Sequence, residues 1–451
     1  MSDSAHRLRG MLERYLSARA QLCVDEARGA EPVAGALELS QRFAFLASDE
    51  ARELASELRP SVAVEAQEAR AMLAHLAVFR QLEARARRRR ILSQVFSESF
   101  VVRGQPMDWA ELPPRWSRGQ SPPGLDAGLA DAVTPRLREL SELQRVSLGG
   151  APAEVATEAR AWLSATDDLH QAARAHLAPE ASECGALLAA FAEASPWRPR
   201  GRMRRAAERL LPLGLSSLLR RVQLLPPRRD ALLAVRVLSV RPPHDLRMAP
   251  PPADLGMLSE LAAAQAVGQA VAQLLVAPAL PAALRWDSEH SVAQAFGGLS
   301  AQVLLSPESL SGCLGARERE PQRRRLGALL VMGVRLAAGY AIWASMERSL
   351  ERAGECLSRA LGLSVEPALA LLLAPCPGDA AALFRGARDA LGLWVALRER
   401  LDEDWYRNPR AAEALRAAGA RGAGLSSGAW LDELGGGEQD ALRRAHELFP
   451  G

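Results

Sequence analysis

Three glutamines in the middle of the chain, Gln265, Gln269 and Gln273, recur every fourth residue, and Gln294 follows 25 positions after Gln269. Four-residue spacing puts side chains on one face of a helix. A side-chain amide is neutral and carries both a donor and an acceptor. Such a stripe can therefore link elements by hydrogen bonds or line a polar cleft, but it cannot abstract a proton. Titratable groups near it are few. His290 lies one turn before Gln294, with Asp287 and Glu289 beside it, and His244 follows Pro242-Pro243. The other histidines, His6, His75, His170, His176 and His446, are scattered over helical segments, and each reads as a surface or satisfied core residue. Cys23, Cys184, Cys313, Cys356 and Cys376 are far apart, with no Cys-x-x-Cys pair, so reduced and mostly buried thiols are expected. There is no Gly-x-Ser-x-Gly elbow, phosphate-binding glycine loop or dinucleotide fingerprint.

The elements that must position these groups are mainly helical. Apolar residues recur at three- and four-residue spacing over Leu8–Leu22, Ala34–Leu58 and Val64–Leu82. Helices are also expected over Leu125–Leu148, Ala153–Leu177, Ser182–Ala194 and Arg202–Val222. The glutamine stripe predicts Asp254–Val276, followed by Ser291–Leu304, Pro321–Leu361 and Asp379–Leu401. A strand and turn are expected at Phe100–Gln105, a loop at Pro113–Gly124, and an alternating strand over Ala231–Val240 with a second extended piece near Arg247-Met248. Pro409 and a glycine-rich tail close the chain.

Composition agrees. The 451 residues are rich in alanine, leucine and arginine, and aromatics make up only 5%. The first two and arginine rank high in helix propensity. All 56 basic residues are arginine, against 53 acids, for a net charge of +3. Two arginine runs stand out: Arg85, Arg87, Arg88, Arg89 and Arg90, then Arg198, Arg200, Arg202, Arg204 and Arg205. Neither is interleaved with aromatics for base stacking, so no nucleic acid is expected as a partner. Each run reads as a solvated helix face, with an anion or acidic-partner site as the alternative. The polar N-terminus gives no secretory signal, and Leu326–Ile342 is too short for a membrane span and carries Arg335. A cytoplasmic protein with no membrane association is the expectation.

The run Gln265-Ala266-Val267-Gly268-Gln269-Ala270 resembles a His-Glu-x-Gly-His-Ala zinc helix with its three chemical residues exchanged. Gln294, within Ser291-Val292-Ala293-Gln294-Ala295-Phe296, stands at the separation of the third ligand in the thimet oligopeptidase and oligoendopeptidase family of zinc metallopeptidases, which are gluzincins. Asp254–Leu258 matches the approach to that family's metal helix, Ala338-Gly339-Tyr340-Ala341-Ile342-Trp343 faintly echoes its tyrosine-rich segment, and Asp402–Arg410 resembles the end of bacterial members. The motif support runs from about Val235 to Pro409.

The resemblance implies a mainly α fold: an elongated multi-helix peptidase-like body with a small β-element beside a degenerate metal-site helix pair. It implies an N-terminal helical lobe (1–150), a helical connecting region (151–230), a catalytic-type lobe (231–410) and a helical, glycine-rich tail (411–451). Gln265, Gln269 and Gln294 then occupy the vestigial ligand positions and Ala266 that of the general base, so no zinc and no other cofactor is expected. The three amides are expected to form a metal-free polar cluster. Tyr340, Trp343 and His290 are candidate cleft contacts, core packing being the competing reading for the two aromatics. The function implied is a pseudopeptidase that binds a peptide or protein. Its alternatives are an enzyme using other chemistry in the same cleft, through His290, Asp287 and Glu289, or a helical scaffold whose cleft is collapsed and filled.

Overall fold

The computed structural model describes residues 3–57, 63–177, 184–193, 197, 201–225, 236–250, 255–286, 291–314 and 319–449. The chain is mainly α, as the periodicity predicts. The first helix, Asp3–Ala27, buries Leu8, Leu12, Tyr15 and Leu16, a three- and four-residue pattern that faces one side. It packs with Ala63–Arg80 through an edge-to-face contact of Tyr15 with Phe79, and Tyr15 makes a second such contact with Phe43. The helix Leu82–Val95 carries the first arginine run.

Several expected helices are divided, and each break has a local cause. Ala34–Leu58 becomes Pro32–Arg42, a tight turn, and Asp49–Ser56, whose start is capped by the Ser48 hydroxyl accepting from the Ala51 amide at 3.1 Å. Pro321–Leu361 becomes Arg319–Ala344 and Leu350–Leu361, with Ser349 capping the second. Ala153–Leu177 breaks at Thr166 into Ala153–Ala165 and Asp167–Leu177. The run from Arg202 is α-helical only to Glu208, because Pro212 and Gly214 (φ 65°) follow, and a 3-10 helix over Ser216–Arg221 comes after them. A five-residue helix, Leu112–Trp116, opens the loop expected from Pro113, its prolines falling in the first turn where no amide donor is needed. Pro367–Leu373 lies beyond the expected set, and the helical tail expected over 411–451 consists of Pro409–Ala420, Ser427–Glu433 and Glu438–Leu448.

The strand and turn at Phe100 form a hairpin, Ser99–Val102 with Gln105–Asp108, whose two-residue turn has positive φ at both Arg103 and Gly104. The second β-element is a three-stranded sheet: Val222–Leu224 runs parallel to Asp245–Ala249, which pairs antiparallel with Arg236–Arg241. Ala231–Val235, the first half of the expected strand, lies outside the described residues.

At the centre, Gly256–Leu275, the glutamine helix, packs against Ser291–Val303, and that helix packs against Ala380–Arg400. Small residues set these contacts. A Cβ on Gly268 would collide with the Phe296 carbonyl and lie 2.8 Å from the Gly297 Cα. A Cβ on Gly386 would fall 2.5 Å from that of Gln294. Backbones thus touch where larger side chains would hold them apart, which fixes Gln269 and Gln294 on adjoining surfaces. Arg319–Ala344 is the one described helix long and apolar enough to cross a membrane, and it is packed inside the protein. Its Arg335, 1% exposed, donates to the carbonyls of Ala360 and Leu163, to the Thr166 hydroxyl and to Asp167. A buried guanidinium satisfied in this way marks a core helix.

Candidate functional site

Gln269 Nε2 donates to Gln294 Oε1 at 3.0 Å, so the two amides that the sequence spacing singles out do meet. They lie on the wall of a cavity of about 340 Å³. Gln273, one turn on, also lines it, and its Oε1 accepts from the Ser239 hydroxyl at 3.2 Å. Ser239 belongs to the strand Arg236–Arg241, and its carbonyl accepts from the Trp286 indole at 3.1 Å. The small sheet therefore stands beside the glutamine helix and closes one side of the cavity.

The three-amide cluster expected from the spacing is not what forms. Gln265 is half-buried and is not part of the cavity lining. An α-helix advances 3.6 residues per turn, so a four-residue stripe drifts by about 40° at each step. The cavity catches the Gln269 and Gln273 end of the stripe. Ala266 is 2% exposed and packs in the apolar core with Val267 and Ala270.

Tyr340 and Trp343 are not cleft residues. Both are buried, at 2% and 0% exposure, in the main apolar core. The Tyr340 hydroxyl donates to the Ala370 carbonyl at 3.3 Å, the Trp343 indole donates to the Ser349 carbonyl at 3.1 Å, and burial pushes the Tyr340 phenol well above its ordinary pKa. The helix that carries them is buried in that core along most of its apolar length. His290, Asp287 and Glu289 lie outside the described residues. His244 is exposed in the turn between two strands. Among the described residues no group of three or more His, Cys, Asp or Glu is placed to hold a metal ion. All five cysteines are unpaired, and Cys184, Cys313 and Cys376 are buried.

Much of the remaining wall is made by the helices Asp3–Ala27, Ala63–Arg80 and Leu82–Val95, and sequence reasoning undervalued it. Arg85, Arg88 and Arg89 line the cavity with Arg19, whereas Arg87 and Arg90 are exposed. Spacings of three and four select one face of Leu82–Val95, so half of the run is directed inward rather than solvated. Arg85 donates to Asp379 at 3.1 Å and to Gln81, Arg88 to the Ala374 carbonyl, and Arg89 to the buried Glu26 at 2.8 Å. Burial opposes the Arg85 charge, but Asp379, together with Cys376 and Tyr15, outweighs it and holds the pKa above the ordinary value. His75 is core, its Nε2 3.0 Å from the carbonyls of Ala283 and Trp286.

Part of the second arginine run is also drawn inward, while Arg204 is exposed. Arg202, Arg205 and Arg209 converge on Glu260, a fully buried residue of the glutamine helix. Arg198 and Arg200 lie outside the described residues. A larger cavity, about 720 Å³, shares Val78 and Arg85 with the first and runs between Ala63–Arg80 and Ala380–Arg400. Together the two make a cleft between the N-terminal helices and the central helix layers.

With this geometry, comparison with solved structures defines the class of fold: it is that of the all-α metallopeptidases. An M32 carboxypeptidase from Deinococcus radiodurans R1 superposes with a TM-score of 0.61 over 100% of both chains at 14% identity. A protein described as an oligoendopeptidase F from Bacillus anthracis str. Ames gives 0.57 over 88% of this chain and 80% of its own, at 9% identity. PZ peptidase A, solved with an inhibitor, gives 0.55 over 98% and 93%, at 10% identity. The fold implied by the sequence resemblance is thereby borne out. No protein-family profile matches the chain, and no curated protein matches it by sequence.

Proposed function

We propose that the chain is a metal-free pseudopeptidase: it binds a peptide or protein segment in the cleft and does not hydrolyse it through zinc. The observation that carries this reading is the Gln269–Gln294 hydrogen bond on the wall of an open cavity in a metallopeptidase-like fold. Zinc is held by imidazole, thiolate or carboxylate. The residues here offer neutral amides that are already paired with one another, and Ala266 has no proton acceptor, so the donor set does not fit the ion.

The cavity and its extension favour binding over a scaffold role. A collapsed cleft would be filled by apolar side chains, whereas this one is lined by Arg19, Arg85, Gln269, Gln273, Gln294 and Asp379. Pockets of a few hundred Å³ with a small number of placed polar groups are the usual form of ligand sites.

The test uses the full-length chain. Purified from zinc-supplemented medium, it is expected to carry no stoichiometric zinc, to leave fluorogenic peptides uncleaved, and to bind peptides saturably in calorimetry. Stoichiometric zinc together with chelator-sensitive cleavage would overturn the proposal.

A further inference from the structure

We infer that the cavity selects a carboxylate on the bound peptide, through Arg19, Arg85 and Arg89 on one wall and the amides of Gln273 and Gln294 on the other. The inference rests on the peptide-cleft reading and adds a charge preference to it.

The first support is charge. The described lining contains the guanidinium groups of Arg19, Arg85, Arg88 and Arg89 but a single carboxylate, Asp379. Asp379 is held by Arg85 at 3.1 Å, and Glu26 pairs with Arg89 from behind the wall at 2.8 Å. Arg88 donates to a neutral carbonyl, that of Ala374. Arg19 stands outside these pairs, so the described lining carries more cationic than anionic groups. A concave, partly dry site concentrates the field of such charges, and a guanidinium binds a carboxylate through two parallel donors.

The second support is the inventory of donors. Gln294 accepts from Gln269 through Oε1, and Gln273 accepts from Ser239 through Oε1. Each amide is thereby oriented by its acceptor atom, which leaves the NH2 group of each for the cavity. An anionic oxygen is the ligand atom that accepts from such donors. Donors on both walls favour an anion over a cation, and over an apolar side chain.

The test compares three blocked alanine-rich peptides by calorimetry at low salt: one with a central Glu and an amidated C-terminus, the same peptide with Gln, and the Gln peptide with a free C-terminal carboxylate. The Glu peptide or the free-carboxylate peptide is expected to bind about tenfold more tightly than the neutral one, a preference of ordinary size for a charge-assisted contact. Which of the two gains the affinity identifies the carboxylate as a side chain or a chain end. In Arg19→Gln the preference should fall below about threefold. Arg19 is the variant of choice because no carboxylate in the lining depends on it. Equal affinity of all three peptides for the wild-type chain would overturn the charge selection and leave the peptide cleft standing. A thermal shift with glutarate separates the remaining case. If no peptide binds but glutarate raises the melting temperature of the wild-type chain and not of Arg19→Gln, the anion site stands and the peptide reading falls. If neither binds, both fall.

Discussion

Gln269 and Gln294 join two helices through a side-chain amide pair, 3.0 Å from Nε2 to Oε1, close to where the backbones of those helices meet at Gly268 and Gly297. The polar pair and the glycine contact depend on each other. The helices approach closely enough for short amide reach only because Gly268 has no side chain. The cavity begins where the contact ends.

Gly268→Ala should therefore destabilise the protein, although alanine is the better helix former. Its Cβ would press on the Phe296 carbonyl, which cannot rotate away. Overpacking of this kind costs about 1–3 kcal/mol. Gly333→Ala, with open space around its Cβ position in another helix, should instead be neutral or stabilising by up to about 1 kcal/mol. Urea midpoints of the two variants check the contrast, and equal shifts would refute the close-contact reading.

Glu260→Gln should cost more than an ordinary polar substitution. It removes the carboxylate on which Arg202, Arg205 and Arg209 converge while leaving three guanidinium groups gathered in a buried place. Breaking a buried ion pair from one side costs about 3–5 kcal/mol. Glu208→Gln, at the exposed pair with Arg204, should leave the denaturation curve unchanged.

Tyr340→Phe should lower stability modestly and leave peptide affinity alone. The hydroxyl makes a buried hydrogen bond to the Ala370 carbonyl, worth about 1 kcal/mol, and the ring stays in the core. A change in peptide affinity without loss of stability would instead place Tyr340 at the cleft.

Acid should weaken the fold through His170. Burial, then the nearby Arg335, lowers its pKa to about 4, with Arg174 adding to the effect and Asp167 opposing it. Between pH 6.5 and 4 the unfolded chain binds a proton at this residue and the folded chain does not, so stability falls as pH falls through that window. The contribution is fully present above about 6.5, and its loss approaches roughly 2–3 kcal/mol near pH 4. His170→Leu should flatten that part of the stability profile relative to the unsubstituted chain, as chemical denaturation at stepped pH would show.

The sequence by itself determined the helical class and the two helices that meet at the site. The sequence pattern marks Gly256–Leu275 and Ser291–Val303 as helices, and the spacing of Gln269 from Gln294 anticipates their hydrogen bond. These are properties of one helix or of a fixed separation along the chain. It also carried, unrecognised, the inward face of the first arginine run, since Arg85, Arg88 and Arg89 follow helical spacing. Whether that face meets water or a cavity depends on Asp379 and Glu26, which come from distant parts of the chain. The same holds for Tyr340 and Trp343, whose helix is buried because other helices surround it, and for Gln265, which helical drift carries away from the cavity. Local pattern fixes which way a residue points relative to its own helix. Only the packing of helices against one another decides what stands opposite, and for this protein that decides which polar residues form the cleft.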